Sequence, residues 1–215
     1  KKLPKFVEAG HERGFKMSFI TNGSLMKGQF MKDIVDAGLH FARFSVTGYN
    51  HKKYKEWMSE DNLDIIIENA NNMIAYIKES GSDATIGSYH LILDNDNQDY
   101  EVEQYQKNFI NKVPGIKASI WRMHNWSGVY DDVTWRKKKD VRRSCGRPFS
   151  PDIIIRAGGN DGKKGAVVPC CMVLGQDSKA VLGHVSENTI EEIWNGPAYE
   201  NLRKLHREHR FDEIP

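Results

Sequence analysis

Gly165-Ala166-Val167-Val168-Pro169-Cys170-Cys171, continued by Leu182-Gly183-His184 and Glu192-Ile193-Trp194-Asn195-Gly196, is the stretch on which the reading of this chain turns. Ala166–Val168 has the look of a short strand, and Asp152–Arg156 upstream of it is a second one. Gly158-Gly159-Asn160-Asp161-Gly162 between them supplies the turn of a hairpin. A hairpin lying between Cys145 and Cys170 can return the chain so that both sulfurs face one point. Cys171 is an immediate neighbour, and on an extended backbone it points the other way. Soft thiolates select zinc, copper(I) or iron–sulfur clusters, and such sites take about four ligands. Cys145 and Cys170 are therefore the leading candidate metal ligands and Cys171 the third. Three cysteines cannot complete such a set unless His184, His206 or His209 joins them.

Downstream, Val181–Val185 reads as another strand. Asn188-Thr189-Ile190-Glu191 has the pattern of a capping box and opens a helix carrying Ile190, Ile193 and Trp194. Gly196-Pro197 restarts it, with Pro at the favoured first helical position and Tyr199, Leu202 and Leu205 facing inward.

Upstream, strands and amphipathic helices alternate. Helical spacing over Lys5–Arg13 precedes a strand at Lys16–Thr21, which ends at Asn22-Gly23. A helix at Phe30–Ala37 stops at Gly38, and the strand Phe41–Val46 ends at Thr47-Gly48. A long helix from Leu63 to Lys78 carries Ile66, Ala70, Met73, Ile74 and Ile77 on one stripe and closes at Gly81. The strand Ala84–Leu93 runs into Asp94-Asn95-Asp96-Asn97. A helix over Tyr100–Val113, with Val102, Tyr105, Phe109 and Val113 inward, precedes a last strand at Lys117–Met123. Strands alternating with helices predict βα units and a parallel sheet, whose ligand sites lie at the carboxyl ends of its strands. Those ends carry Thr21-Asn22-Gly23, Ser45-Val46-Thr47-Gly48, Asp94-Asn95 and His124-Asn125-Trp126. Their polar, small residues suit a ligand pocket and suit plain turns equally.

The 215 residues can bury a substantial core. No run reaches the roughly 18 apolar residues of a membrane span, and no secretory signal is visible. A net charge of +2 does not argue for nucleic acid. Arg136-Lys137-Lys138-Lys139-Asp140-Val141-Arg142-Arg143 is the one strongly basic run, read as a solvated linker or as a contact for an anionic ligand. Three cysteines, two of them adjacent, make a poor disulfide framework and point to a reducing cytoplasm. The opening Lys1-Lys2-Leu3-Pro4 reads as a cut end. His51, His90 and His184 are expected to make ordinary hydrogen bonds. Trp126, at a junction, is expected to pack or to wall a pocket beside Arg122 and His124.

These features together resemble the radical S-adenosylmethionine enzymes that carry an auxiliary iron–sulfur domain of SPASM or twitch type. The residues that carry the resemblance are Cys145, then Gly165 and, after four intervening residues, Cys170, then Leu182-Gly183-His184, Ile193-Trp194-Asn195 and Tyr199-x-x-Leu202-Arg203. The departures are a long gap over positions 146–164, His184 where Asn is common, and no distal CxxC-like pair. In the front part Phe19-Ile20-Thr21-Asn22-Gly23 and Phe44-Ser45-Val46-Thr47-Gly48 resemble strand ends of the same superfamily's barrel.

The resemblance implies an α/β fold: a partial parallel β/α barrel, TIM-like, over residues 1–126. A basic linker over 127–144 and a small α+β SPASM/twitch domain over 145–215 follow. It implies S-adenosyl-L-methionine as cofactor, with Thr21, Asn22 and Ser45 as polar contacts and Asn95 and Asn125 as later-strand candidates. It implies an auxiliary 4Fe–4S cluster at Cys145 and Cys170, and a primary 4Fe–4S cluster whose CxxxCxxC ligands are expected before residue 1. A 5′-deoxyadenosyl radical would abstract hydrogen from a substrate, with flavodoxin or ferredoxin as reductant. On this reading the 215 residues by themselves are expected to be inactive. Arg122 and the basic run favour an anionic small molecule or carbohydrate over a peptide. The alternative is a non-catalytic α/β binding module with a Cys/His structural zinc site. A nucleotide-binding enzyme finds no P-loop or G-x-G-x-x-G to support it.

Overall fold

Four short β runs, each followed or preceded by an amphipathic helix, build the first half of the molecule. The computed structural model describes residues 2–93, 97–123, 145–157, 164–173 and 178–214. The chain forms two compact units, Lys1–Met123 and His124–Pro215.

In the first unit α1 (Leu3–His11), β1 (Ser18–Thr21), α2 (Gly28–Asp36) and β2 (Phe41–Ser45) come first. They are followed by α3 (His51–Met58), α4 (Leu63–Ser80), β3 (Thr85–Ile92), α5 (Gln98–Asn108), a 3₁₀ turn (Ile110–Lys112) and β4 (Lys117–Arg122). The four strands lie side by side in chain order and every pair is parallel. Pro4 in the first turn of α1 needs no N–H partner, and Gly81, at φ +67°, closes α4 in the left-handed conformation.

One parity of strand residues, including Ala42, Phe44, Val46 and Ile86, is buried in a single core. There they meet Val7 of α1, Met31, Ile34 and Val35 of α2, Ile66, Ala70 and Met73 of α4, and Tyr105 of α5. The other parity is only partly covered: β2 alternates half-buried Phe41, Arg43 and Ser45 with buried Ala42 and Phe44. The sheet thus has a helix face and an open face. A parallel four-stranded sheet of this kind is compatible with part of a β/α barrel.

Two local features depart from the sequence reading. The charged stretch after Gly48 gives no apolar stripe, yet it forms α3, because Asn50 accepts the Lys53 N–H at 2.9 Å as an N-cap and Tyr54 is buried. Gly48 makes this possible: at φ +116° a Cβ would stand 2.4 Å from the Tyr54 nitrogen. The helix expected from Tyr100 to Val113 starts at Gln98 and tightens into the 3₁₀ turn before Val113.

The second unit is an antiparallel sheet in the order β5 (Ile154–Arg156), β6 (Ala166–Val168), β7 (Gly183–His184), with α6 (Ile190–Trp194) and α7 (Pro197–Arg207) beside it. Its core is Val167, Ile193 and Tyr199, with Ile153, Leu182 and Trp194 packed against them. The capping box falls one residue later than expected. Thr189 is the N-cap and accepts the Glu192 N–H at 3.2 Å, while the Glu192 carboxylate accepts the Thr189 N–H at 2.8 Å. The turn residues 158–162, the basic run 136–143, Asn95, His124, Asn125 and Trp126 lie outside the described residues.

Candidate functional site

At the carboxyl edge of the parallel sheet the chain bends through Thr21-Asn22-Gly23-Ser24. Thr21 Oγ1 accepts the Gly23 N–H at 3.1 Å, and Asn22 Oδ1 accepts both the Ser24 N–H at 3.2 Å and the Ser24 hydroxyl at 3.0 Å. Both predicted contact residues are therefore already engaged in shaping their own turn. The turn is held from below by Asn69 of α4. This buried amide donates to the Gly23 carbonyl at 2.9 Å and the Ser24 carbonyl at 3.2 Å.

Thr21 and Ser45 end neighbouring strands, but strand alternation sets them on opposite faces. Thr21 shares the parity of Phe19, which packs on the core, whereas Ser45 shares that of half-exposed Phe41 and Arg43. The structure brings the two to one edge and not to one side. Ser45 looks onto the open face.

The edge at β2 and β3 is tied by a buried polar cluster. His90 Nε2 lies 2.6 Å from Glu101 Oε1, both side chains being essentially inaccessible. Glu101 also accepts the Leu93 N–H at 2.9 Å. At the other side of the ring Nδ1 lies 3.1 Å from the Val46 carbonyl oxygen and 3.4 Å from the Gly48 nitrogen. The imidazole stacks on Tyr105, ring centroids 4.5 Å apart, and the Tyr105 hydroxyl donates to Ser88 Oγ at 2.9 Å. Burial pushes the Tyr105 phenol well above the ordinary tyrosine range. His90 thus makes the hydrogen bonds expected of it, and it fixes the Val46–Gly48 loop against the end of β3. His51, by contrast, meets Asp61 at 2.8 Å on the surface. A cleft lined by His11, Lys16, Asp36, His40 and Asp83 opens at the other edge, by the amino ends of the strands. Ligand sites of parallel βα sheets lie at the carboxyl ends of the strands, the opposite edge from this cleft.

In the second unit β6 delivers the thiols. All three β6 residues are buried, Pro169 ends the strand, and Cys170 begins a tight turn in which the Val173 N–H reaches the Cys170 carbonyl at 3.2 Å. The Met172 N–H points at Cys170 Sγ from 3.4 Å. An amide proton directed at sulfur is the kind of bond that tunes iron–sulfur ligands. Cys170 is half-buried, Cys145 and Cys171 are exposed, and all three are free thiols.

The segment bearing Cys145 is anchored by Arg203. Its Nε donates to the Pro148 carbonyl at 2.9 Å and its Nη1 to the Trp194 carbonyl at 2.8 Å. The guanidinium lies 4.4 Å from the Trp194 ring centroid and 5.0 Å from that of Tyr199. The spacing Ile193-Trp194, Tyr199, Leu202-Arg203 therefore has a mechanical meaning: it clamps the 3₁₀ turn Arg147–Phe149 onto the α6–α7 corner. Burial raises the Tyr199 phenol, and the nearby Arg203 charge acts against that rise.

The donor chemistry suits an iron–sulfur cluster in part. Soft thiols are present and one is preorganised, yet among the described residues no three His, Cys, Asp or Glu side chains converge as a metal site. His206 is spent inside its own helix, its Nδ1 2.8 Å from the Leu202 carbonyl. His184 lies 3.8 Å from the Glu187 carboxylate.

Residues 162–214 match the family model described as SPASM, an iron–sulfur cluster-binding domain. The match spans Cys170, Cys171, β6, β7, α6 and α7, and it stops short of Cys145. No curated protein matches this chain.

Proposed function

We propose that this chain is part of a radical S-adenosylmethionine oxidoreductase or maturase. In this reading residues 1–126 form part of a β/α barrel, 127–144 a linker, and 145–215 a SPASM-type domain holding an auxiliary 4Fe–4S cluster. Cys170 is the first ligand, Cys145 the second and Cys171 the least suited of the three. The single observation that carries the reading is the SPASM match over a segment whose Cys170 sulfur already receives a backbone N–H. The parallel βα sheet of the first unit, with Ser45 on its open face, supports the cofactor side of it.

The clusters and S-adenosylmethionine would supply electron transfer and a hydrogen-abstracting radical. The residues of this chain have simpler tasks. Ser45 and the Thr21–Gly23 turn offer polar contacts at the strand ends, and Asn95 is a further candidate there. Asn69 and the His90–Glu101 pair hold those ends in place. Arg203 holds the Cys145 segment. No three cysteines here have CxxxCxxC spacing, so the primary cluster is not assigned to any of these residues. A cytoplasmic setting, flavodoxin or ferredoxin as reductant, and an anionic small molecule or carbohydrate as substrate complete the proposal.

The test is anaerobic reconstitution of the protein encoded by the whole reading frame with iron and sulfide. Cys170→Ala should lower bound iron and sulfide by about one cluster. Mass spectrometry should detect 5′-deoxyadenosine after addition of S-adenosylmethionine and reductant. A colourless protein that holds one zinc ion and forms no 5′-deoxyadenosine would replace this proposal with the structural zinc module.

A further inference from the structure

The open face of the parallel sheet is chemically one-sided. None of β1, β2, β3 or β4 contains an Asp or Glu, whereas strand alternation sets Arg43 and Lys117 on this face. Arg43 is held there by rings. Its guanidinium carbon lies 5.3 Å from the Phe41 centroid and 5.5 Å from that of Trp121, two strands away on β4.

That reach is possible because the β3 residue in register with Arg43 is Gly87. A Cβ on Gly87 would stand 2.8 Å from the Phe41 ring and 2.7 Å from the Lys117 carbonyl oxygen, so the ring lies over a bare stretch of backbone. Tyr89 stacks on Trp121, centroids 5.8 Å apart at 22°, and Trp121 keeps 43% of its surface exposed. Among the described residues the Arg43 guanidinium meets no carboxylate and donates no hydrogen bond; its only neighbours of note are the two rings. A guanidinium carries five N–H donors in a planar fork that matches carboxylate and phosphate oxygens. Half-buried against aromatic faces, with no acceptor supplied, that fork is set for one from outside. The exposed Trp121 ring beside it offers a stacking surface.

We propose that Arg43, Tyr89 and Trp121 form a binding site for an anionic small molecule, its carboxylate or phosphate taken by Arg43 and an attached planar ring laid on Trp121. This deepens the reading of the first unit as the substrate-holding part of the enzyme, and it rests on that reading.

The experiment titrates phenyl phosphate into the ¹⁵N-labelled chain and follows the arginine Nε–H and tryptophan indole N–H signals. Inorganic phosphate (an anion with no ring) and benzyl alcohol (a ring with no charge) serve as comparisons. Saturable shifts of the Arg43 and Trp121 signals are expected with phenyl phosphate, and weaker ones with either comparison. Arg43→Gln should weaken binding on the order of tenfold, and Trp121→Leu by a similar factor. Arg43→Lys keeps the charge without the fork and should fall between wild type and Arg43→Gln. It decides the matter if Arg43→Gln loses its folded spectrum. Equal affinity of wild type and the Arg43 variants, or no saturable binding by wild type, overturns the proposal. The parent reading is judged separately by iron and sulfide content after reconstitution, which Arg43→Gln should leave unchanged.

Discussion

Arg203 reaches from α7 to the carbonyl of Pro148, three residues beyond Cys145, and donates to it at 2.9 Å. The same side chain donates to the Trp194 carbonyl, so one buried cation joins three separate segments of the second unit. Arg203→Ala strands both carbonyls and removes the filling between Trp194 and Tyr199. It should cost about 3 kcal/mol in urea unfolding of the chain. Arg203→Lys should recover only part of this, because an ammonium cannot span both acceptors. An Arg203→Ala protein as stable as wild type would refute the clamp.

Asn69 plays the matching part in the first unit. Asn69→Leu removes the donor to the Gly23 and Ser24 carbonyls and should destabilise by about 1–3 kcal/mol. Hydrogen exchange at Ser24 and Leu25 should speed up more than exchange in β3. Uniform change across the unit would contradict the assigned role.

Gly87 has no room for a side chain. Gly87→Ala places a methyl against backbone and ring at under 3 Å and should destabilise by about 1–3 kcal/mol. Combining it with Phe41→Leu should recover part of the loss, as a double-mutant cycle would show.

Alkaline pH should act through Tyr54. Burial, with the Asp61 charge adding, pushes its phenol up to about 12 from the ordinary 10.0. The folded protein thus keeps a proton that the unfolded chain gives up. Stability from this group is intact below pH 10.0 and falls as the pH rises toward 12. Tyr54→Phe should flatten that decline in unfolding titrations, and an unchanged slope would exclude Tyr54 as its source.

Acid should act at α6 in the opposite sense. Hydrogen bonds from the Thr189 backbone and hydroxyl hold the Glu192 carboxyl below its ordinary 4.5. Its contribution is present above pH 4.5 and is lost as pH falls through the depressed value. Thr189→Ala removes the hydroxyl but keeps the backbone N–H, so it should weaken this local pH dependence without abolishing it, read from amide shifts of Ile193 and Trp194.

The parallel sheet was legible because its strands and helices differ in period and end in Gly-containing turns, as at Thr21-Asn22-Gly23 and Thr47-Gly48. The α6–α7 corner was legible from Gly196-Pro197 and the inward Tyr199, Leu202 and Leu205. α3 was not, because its helix rests on one cap and one buried tyrosine rather than on an apolar stripe. Asn69 was hidden inside the stripe of α4, where a polar residue between Ile66 and Ala70 is the one available hint. Glu101 looked like any first-turn carboxylate, and only the tertiary fold supplies its partner His90. Thr21 and Ser45 were rightly assigned to strand ends. Their opposite facing follows from parity and could have been counted from Phe19 and Phe41.

β6 is flanked by a partner strand on each side, and all three of its residues are buried. A thiol issuing from such a strand is moored at its base whether or not metal is present. If Cys170 holds iron as proposed, stripping it would slacken the Cys170-Cys171-Met172 bend while the scaffold beneath stays assembled, so that reloading amounts to a local rearrangement rather than a refolding event.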